Sequence, residues 1–243
     1  MPDGEEPSKV KSRTQSVVMR IDCHVHTEKS GDSRTPILKV LEAAAASGID
    51  VVCITDHGRI DGALEARALA ASLGLPVAVV VGQECRTWAG EIIGLFLAER
   101  IPGNSKPEEV VERVRSQGGL VYIPHPFCPR HARLERPVLD SLVASGQVDL
   151  LEVHNAKAEA DANEEARIYA NDAGLVGAAG SDAHYPEFVG AAFVSVEVGS
   201  GIGPAEIADD PQLFLEALRE GSIHKGTYSY SQAQWIRRVE PDL

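Results

Sequence analysis

The stretch "RIDCHVHTEKSGDS", Arg20–Ser33, decides how the rest of the chain is read. It begins as an apolar strand, sets Asp22, His24 and His26 on alternate residues, and brings Asp32 in just beyond. Strand side chains alternate between faces, so the acid and both imidazoles are expected on one side. Two imidazoles on rigid backbone can grip one cation, and a nearby carboxylate can orient an imidazole through its second nitrogen. A strand ending this way predicts that other strands deliver partners to the same place.

Reading outward, apolar strand runs alternate with helix patterns. "VVMRIDCHV", "IDVVCIT", "PVAVVVGQE", "EIIGLFL", "LVYI", "VDLLEV", "LVGAAG" and "AAFVSVEV" read as strands. "PILKVLEAAAASG", "DGALEARALAASLG", "SKPEEVVERVRSQGG", "VLDSLVAS", "EADANEEARIYANDAG" and "PQLFLEALREG" read as helices. The second runs from Asp61 to a glycine stop, and the third opens with capping-box spacing between Ser105 and Glu108. Continuous apolar strands between helices predict parallel pairing with both sheet faces covered. His26, His57, Glu84, His125, His154 and Asp182 fall at or just past successive strand ends. In an α/β barrel those ends converge on one face; an open sheet gathers residues mainly at its switch point. The expected fold class is therefore α/β, in barrel form.

The 243 residues suffice for one large core without disulfide staples. Four cysteines without C-x-x-C spacing (Cys23, Cys53, Cys85, Cys128) read as reduced thiols of a cytoplasmic protein. A net charge of −13 argues against a general grip on long nucleic acid. It leaves an anionic small substrate open, because bound cations reverse the field inside a cleft. No apolar run reaches membrane-spanning length, and no membrane partner is expected. Residues 1–15 are polar and expected to be disordered, 16–224 form the barrel, and 225–243 form a tail whose Tyr228, Tyr230 and Trp235 suggest docking.

Each polar strand end has a structural explanation when taken alone. Asp56–His57 could cap a strand, Glu84 could end one at the surface, and His125 could pack between Pro124 and Pro126. Together they resist it: buried without cations, the carboxylates would repel and the imidazoles would cost desolvation energy. Asp22, His24, His26, Asp32, His57, Glu84, Glu91, His125, His154, Asp182 and His184 exceed the needs of one ion. The mix of imidazole and carboxylate suits Mn²⁺, Zn²⁺ or Fe²⁺. Clustered cations suit hydrolysis of phosphate esters by a metal-activated water.

"DCHVHT", "SGDS", "GIDVVCITDHGRIDG", "VGQE", "PHPF" and "GSDAHYPEFVG" together resemble the polymerase and histidinol phosphatase (PHP) domain family, over residues 19–198. The resemblance implies a distorted (β/α)7 barrel that holds two or three divalent metal ions and hydrolyses phosphoesters. It implies that His24, His26 and Asp182 bind a first ion, Glu84 bridges to a second held by His125, and Asp32, His57 and His184 bind a third. Relatives place a histidine where Glu91 stands; Glu91 either replaces that ligand or marks a weaker second site, with His154 as a further candidate. His24, His57, Glu84 and Asp182 are the expected catalytic residues. Arg59, Arg86, Arg130 and Lys157 are candidates to bind a small phosphorylated substrate, with His131 and Arg133 nearby. The alternatives are a metal-dependent amidohydrolase and a noncatalytic, metal-bound ligand-binding module.

Overall fold

The computed structural model describes residues 16–228. The segments 1–15 and 229–243, with the disorder and the Tyr230 and Trp235 docking expected there, lie outside the described residues. The described chain forms a 9-stranded mixed sheet that curls into a nearly closed barrel. Strands β1 (Ser16–Val25), β2 (Val51–Ile54) and β3 (Ala78–Thr87) are mutually parallel. Helices α1 (Ile37–Ala46) and α2 (Asp61–Leu73) connect them. Beyond α3 (Pro107–Ser116), strands β5 (Leu120–Ile123), β6 (Leu150–Asn155) and β7 (Val176–Gly180) form a second parallel set. Helices α4 (Arg136–Ala144) and α5 (Ala160–Ala173) separate those strands.

The expectation of uniformly parallel pairing fails at β4 (Gly90–Leu95), which pairs antiparallel with both β3 and β5. No helix separates β3 from β4; a tight turn over Trp88 and Ala89 ends at Gly90, whose φ of 124° suits only glycine. The hairpin sets Arg86 directly opposite Glu91.

Side-chain alternation along the strands divides the core. Ile21, Cys23, Val51, Cys53, Val80, Ile93, Tyr122 and Leu150 fill the barrel. Val52, Ile54, Val79, Val81, Val121 and Leu151 pack outward with the covering helices. Two late helices, α6 (Pro204–Asp209) and α7 (Pro211–Arg219), contribute Ile207, Phe214 and Leu218 to the interior cluster. Strand β1 does double duty. Its first half pairs antiparallel with β8 (Ala192–Gly199), which carries β9 (Ser222–Lys225) on its other edge. Its end meets the residues after β7: Asp182 donates its N–H to the His24 carbonyl at 2.7 Å, and His26 donates to that of Ala183 at 3.0 Å. That seam brings the two ends of the chain's polar pattern together. The folded unit runs past the expected boundary at residue 224, since β9 includes Lys225 and Tyr228 is buried. No helix among the described residues is long and apolar enough to cross a membrane.

Candidate metal centre

The strand ends place their polar side chains around one cleft. His24 and His26 lie at the end of β1, fully buried, with their Nε2 atoms 3.0 Å apart. Glu84 from β3 reaches both, with Oε2 at 3.4 Å from His24 Nε2 and 3.3 Å from His26 Nε2. Asp182 Oδ1 lies 3.5 Å from His26 Nε2. The opposite nitrogens are engaged: His24 Nδ1 faces Glu152 Oε1 at 3.1 Å and His26 Nδ1 faces Ser30 Oγ at 3.0 Å. A neutral His24 that donates from Nδ1 to a carboxylate has only a lone pair at Nε2, so acceptors converge on acceptors unless a proton or a cation sits between them.

Glu84 also serves His57, whose Nδ1 is 3.3 Å from Oε2, and His125, whose Nε2 is 3.1 Å from Oε1. On the outer side Asp32 Oδ2 lies 3.2 Å from His57 Nε2 and 3.0 Å from His184 Nε2. Among the described residues, four groupings come close enough to share a cation: His26–Asp32–His57–His184, His24–His26–Glu84, His24–His125–Asp182 and His57–Glu84–Glu91. Glu84 belongs to two of them, as a bridging carboxylate would.

The electrostatics show what the cluster lacks. Burial works against a charged His26, yet hydrogen bonds to the Asp182 and Glu84 carboxylates push its imidazole up to about 9. Burial likewise opposes a charged His24, but Asp182, Glu152 and Glu84 hold its pKa well above the usual value. Burial would raise Glu84 and Asp182; the surrounding imidazoles, and Lys157 beside Asp182, keep both well below the ordinary carboxylate range. Protons thus supply positive charge that divalent cations would otherwise bring. His125 Nδ1 is buried with no hydrogen-bond partner among the described residues, a costly state for a polar atom. His125 and Asp182 also have positive φ, 30° and 50°, at non-glycine positions. Unfavourable backbone of that kind persists where the surroundings enforce it. The donor set, the convergent acceptors and the orphaned nitrogen fit divalent cations.

Three expectations need correction. Asp22 does not orient the histidine pair. The register of β1 shifts between Asp22 and Val25, and the Asp22 carboxylate accepts the N–H groups of Ser181 and Gly190, each at 2.9 Å. Glu152 orients His24 instead. It also accepts the Tyr122 hydroxyl at 2.9 Å, the His125 N–H at 2.6 Å and the Asn155 amide at 3.0 Å. His154 stands apart from the four groupings, because the β6 register shifts between Glu152 and His154 and its Nε2 meets the Gly226 carbonyl at 2.9 Å. Arg59 turns to solvent in a two-point pair with Asp61 at 2.8 and 2.7 Å.

Arg86, Arg130 and Lys157 do line the cleft, a cavity of about 200 Å³ shared with His125, His131, Asp182 and His184. Arg86 pairs with Glu91 at 3.2 Å, Arg130 with Glu159, and Lys157 lies 3.4 Å from Asp182 Oδ1. His131 stacks on His125 at 4.3 Å and reaches Asp182 Oδ2 at 3.1 Å, whereas Arg133 binds the Phe127 carbonyl. A neighbouring cavity of about 370 Å³, lined by Ser30, Gly31, Gly58, Gly103 and Asn104, shares Asp32, His57, Glu84 and Arg86 with the first. A larger groove of about 600 Å³ along α2 and α6 is mainly apolar and remote from these side chains.

Asp56, beside His57, is not at the cleft. Its carboxylate clamps Thr27 through the N–H at 2.6 Å and the hydroxyl at 2.7 Å, fixing the loop after β1.

Comparison with known proteins agrees with this geometry. Residues 22–124 match the PHP domain and residues 160–223 match the PHP-associated domain. The uncharacterized protein MJ1587 of Methanocaldococcus jannaschii is 40% identical over 148 residues, covering 57% of this chain and 82% of that protein. MJ0417 of the same organism, also uncharacterized, is 32% identical over 223 residues, covering 90% of this chain and 88% of that protein. Among solved structures, a Bacteroides vulgatus two-domain protein containing a predicted PHP-like metal-dependent phosphoesterase superposes with a TM-score of 0.70 at 20% identity. The alignment covers 87% of this chain and 66% of that longer one. An amidohydrolase from Chromobacterium violaceum, with bound sulfate and no metal, superposes with a TM-score of 0.58 at 19% identity, covering 84% and 97%. At such identities these two likenesses concern the fold alone. The matched segments carry His24, His26, Asp32, His57, Glu84 and Glu91 in the first and Asp182 and His184 in the second, and the chain belongs to the PHP domain family.

Proposed function

We propose that this chain is a hydrolase of small phosphate esters, nucleotide or metabolite phosphates, that works with two or three divalent cations. One observation carries the reading: buried acceptors that call for cations share a cleft with Arg86, Arg130 and Lys157, groups suited to phosphate oxygens. The donor set admits Mn²⁺, Zn²⁺ or Fe²⁺. In such a site divalent cations neutralise phosphate oxygens and lower the pKa of water.

The chain's own residues supply the rest. His24, His57, Glu84 and Asp182 hold the reacting groups at the floor of the cleft, with Glu84 spanning the two sides. Lys157 and Arg86 now lean on Asp182 and Glu91, the carboxylates that cations would claim. Once those carboxylates are neutralised, both basic groups are available to an incoming phosphate. The glycine-lined cavity beside His57 and Asn104 gives the alcohol portion a place beyond the phosphate.

The test is turnover of phosphate monoesters, read as phosphate release, and of dinucleotides and cyclic amides, read by chromatography of their products, with Mn²⁺, Zn²⁺ or Fe²⁺ and with His57→Ala as control. Phosphate release from monoesters by the parent chain, lost in His57→Ala, is expected. Turnover of cyclic amides alone would identify an amidohydrolase, and tight ligand binding without turnover a noncatalytic module.

A further inference from the structure

The last described residue touches the metal centre from behind. Past β9, Gly226–Tyr228 returns to the ends of β6 and β7. The Gly226 carbonyl accepts from His154 Nε2 at 2.9 Å, and the Tyr228 N–H donates to the Ala156 carbonyl at 2.9 Å. Gly226 lies so close to the Ala191 carbonyl that no Cβ fits there. The Tyr228 ring stacks on Phe188 with centroids 3.9 Å apart and planes 6° from parallel. Its hydroxyl, buried with the ring, donates to the main-chain carbonyl of Asp182 at 2.7 Å.

That carbonyl is where orientation matters. Asp182 holds a φ of 50°, which a non-glycine residue keeps only under constraint. Its N–H is tied to the His24 carbonyl at 2.7 Å, and its own carbonyl faces His184 Nδ1 at 2.9 Å. With Nδ1 donating there, His184 presents a bare Nε2 toward Asp32. That carbonyl therefore bears on the direction of the Asp182 carboxylate and, with Lys157 Nζ 3.4 Å from the same nitrogen, on the tautomer of His184, and Tyr228 shares it. A tyrosine needed only for packing would be served by its ring against Phe188.

We propose that Tyr228 is a positioning residue for the cation cluster, its hydroxyl fixing the Asp182 carbonyl so that Asp182 and His184 face the cleft in ligand orientation. His154 anchors this strap, which is why a histidine at a strand end is not in the cluster. Tyr228 lies beyond both matched segments. The inference rests on the reading of Asp182 and His184 as cation ligands.

The experiment is Mn²⁺ titration of the full chain by calorimetry and by the electron paramagnetic resonance signal of free Mn²⁺, without substrate. Groups that orient ligands typically contribute about 10–100-fold in metal affinity. Tyr228→Phe, which keeps the stacked ring, is expected to weaken Mn²⁺ binding about tenfold. Its unfolding midpoint in EDTA should stay near that of the parent. Gly226→Ala, which displaces the strap without touching Asp182, should weaken binding in the same direction. Unchanged Mn²⁺ affinity in Tyr228→Phe overturns the inference, and a lowered midpoint in EDTA with unchanged affinity assigns the residue to packing. A parent chain that binds no divalent cation overturns this inference and the phosphoesterase reading together. Cation binding without phosphoester turnover sinks only the latter.

Discussion

Glu91 shows what burial beside another carboxylate costs. It is 3% exposed on β4, within the field of Glu84, and burial followed by that neighbour pushes its carboxyl up to about 7. Arg86 offsets only part of this, from a largely exposed position. A folded pKa above the unfolded one means that the native state binds the extra proton. Stability is then fully present below about 4.5 and is lost as pH rises from there to about 7. Glu91→Gln removes the penalty. In EDTA the variant should melt above the parent at pH 8, with the gap narrowing toward pH 5; a gap constant with pH would show that Glu91 ionisation is not its source. At this scale the ligand types were legible, because histidines and carboxylates at strand ends need no structure to be noticed. Glu152 was not singled out. The available signal was a charged residue inside the apolar run "VDLLEV", a position that in a buried strand requires partners. His154 and Asp22 misled for one reason: a register shift beside each breaks the alternation that the sequence argument assumes.

Among the elements, the seam between β1 and β7 does most to assemble the site, and Gly180 makes it possible. A Cβ at Gly180 would overlap the His24 Cβ and come within 2.9 Å of Glu152 Oε1. Gly180→Ala therefore has to part the two strands where His24 and Glu152 meet. Overpacking of this kind typically costs about 1–3 kcal/mol. Urea unfolding should register that loss together with weaker Mn²⁺ binding, whereas unchanged values for both would mean that the seam has slack. The strands and helices themselves were readable from apolar runs and glycine stops. The direction of β4 was not inferred, although the sequence carried the cue: "TWAG" separates two apolar runs with no room for a helix, which is a hairpin spacing. The antiparallel turn matters to the site because it faces Arg86 toward Glu91 across the ladder. Strand β9 is too short and mostly exposed to stand out, and its pairing with β8 is a long-range choice that local pattern does not encode.

Across the whole molecule, the sheet gathers residues from His24 to His184 into one cluster, so a charge placed there is felt by both ends of the fold. The order of motifs along the chain foretold that convergence. It did not foretell that β1 would split its pairing between β8 and the β7 end, since both partners are distant in sequence. The consequence is a linkage between cations and protons. In the cation-free protein the surrounding carboxylates push His26 up to about 9 and raise His24 well above its usual value, which favours protons on this pair. A divalent cation needs the same nitrogens deprotonated, so binding must expel protons to solvent. Calorimetric Mn²⁺ titrations at pH 7 in buffers of different ionisation enthalpy should give heats that scale with that enthalpy, reporting about one to two protons released. The number should decline as pH approaches 9, and the apparent affinity should climb over the same interval. Heats independent of the buffer would mean that the cation does not displace protons from His24 and His26.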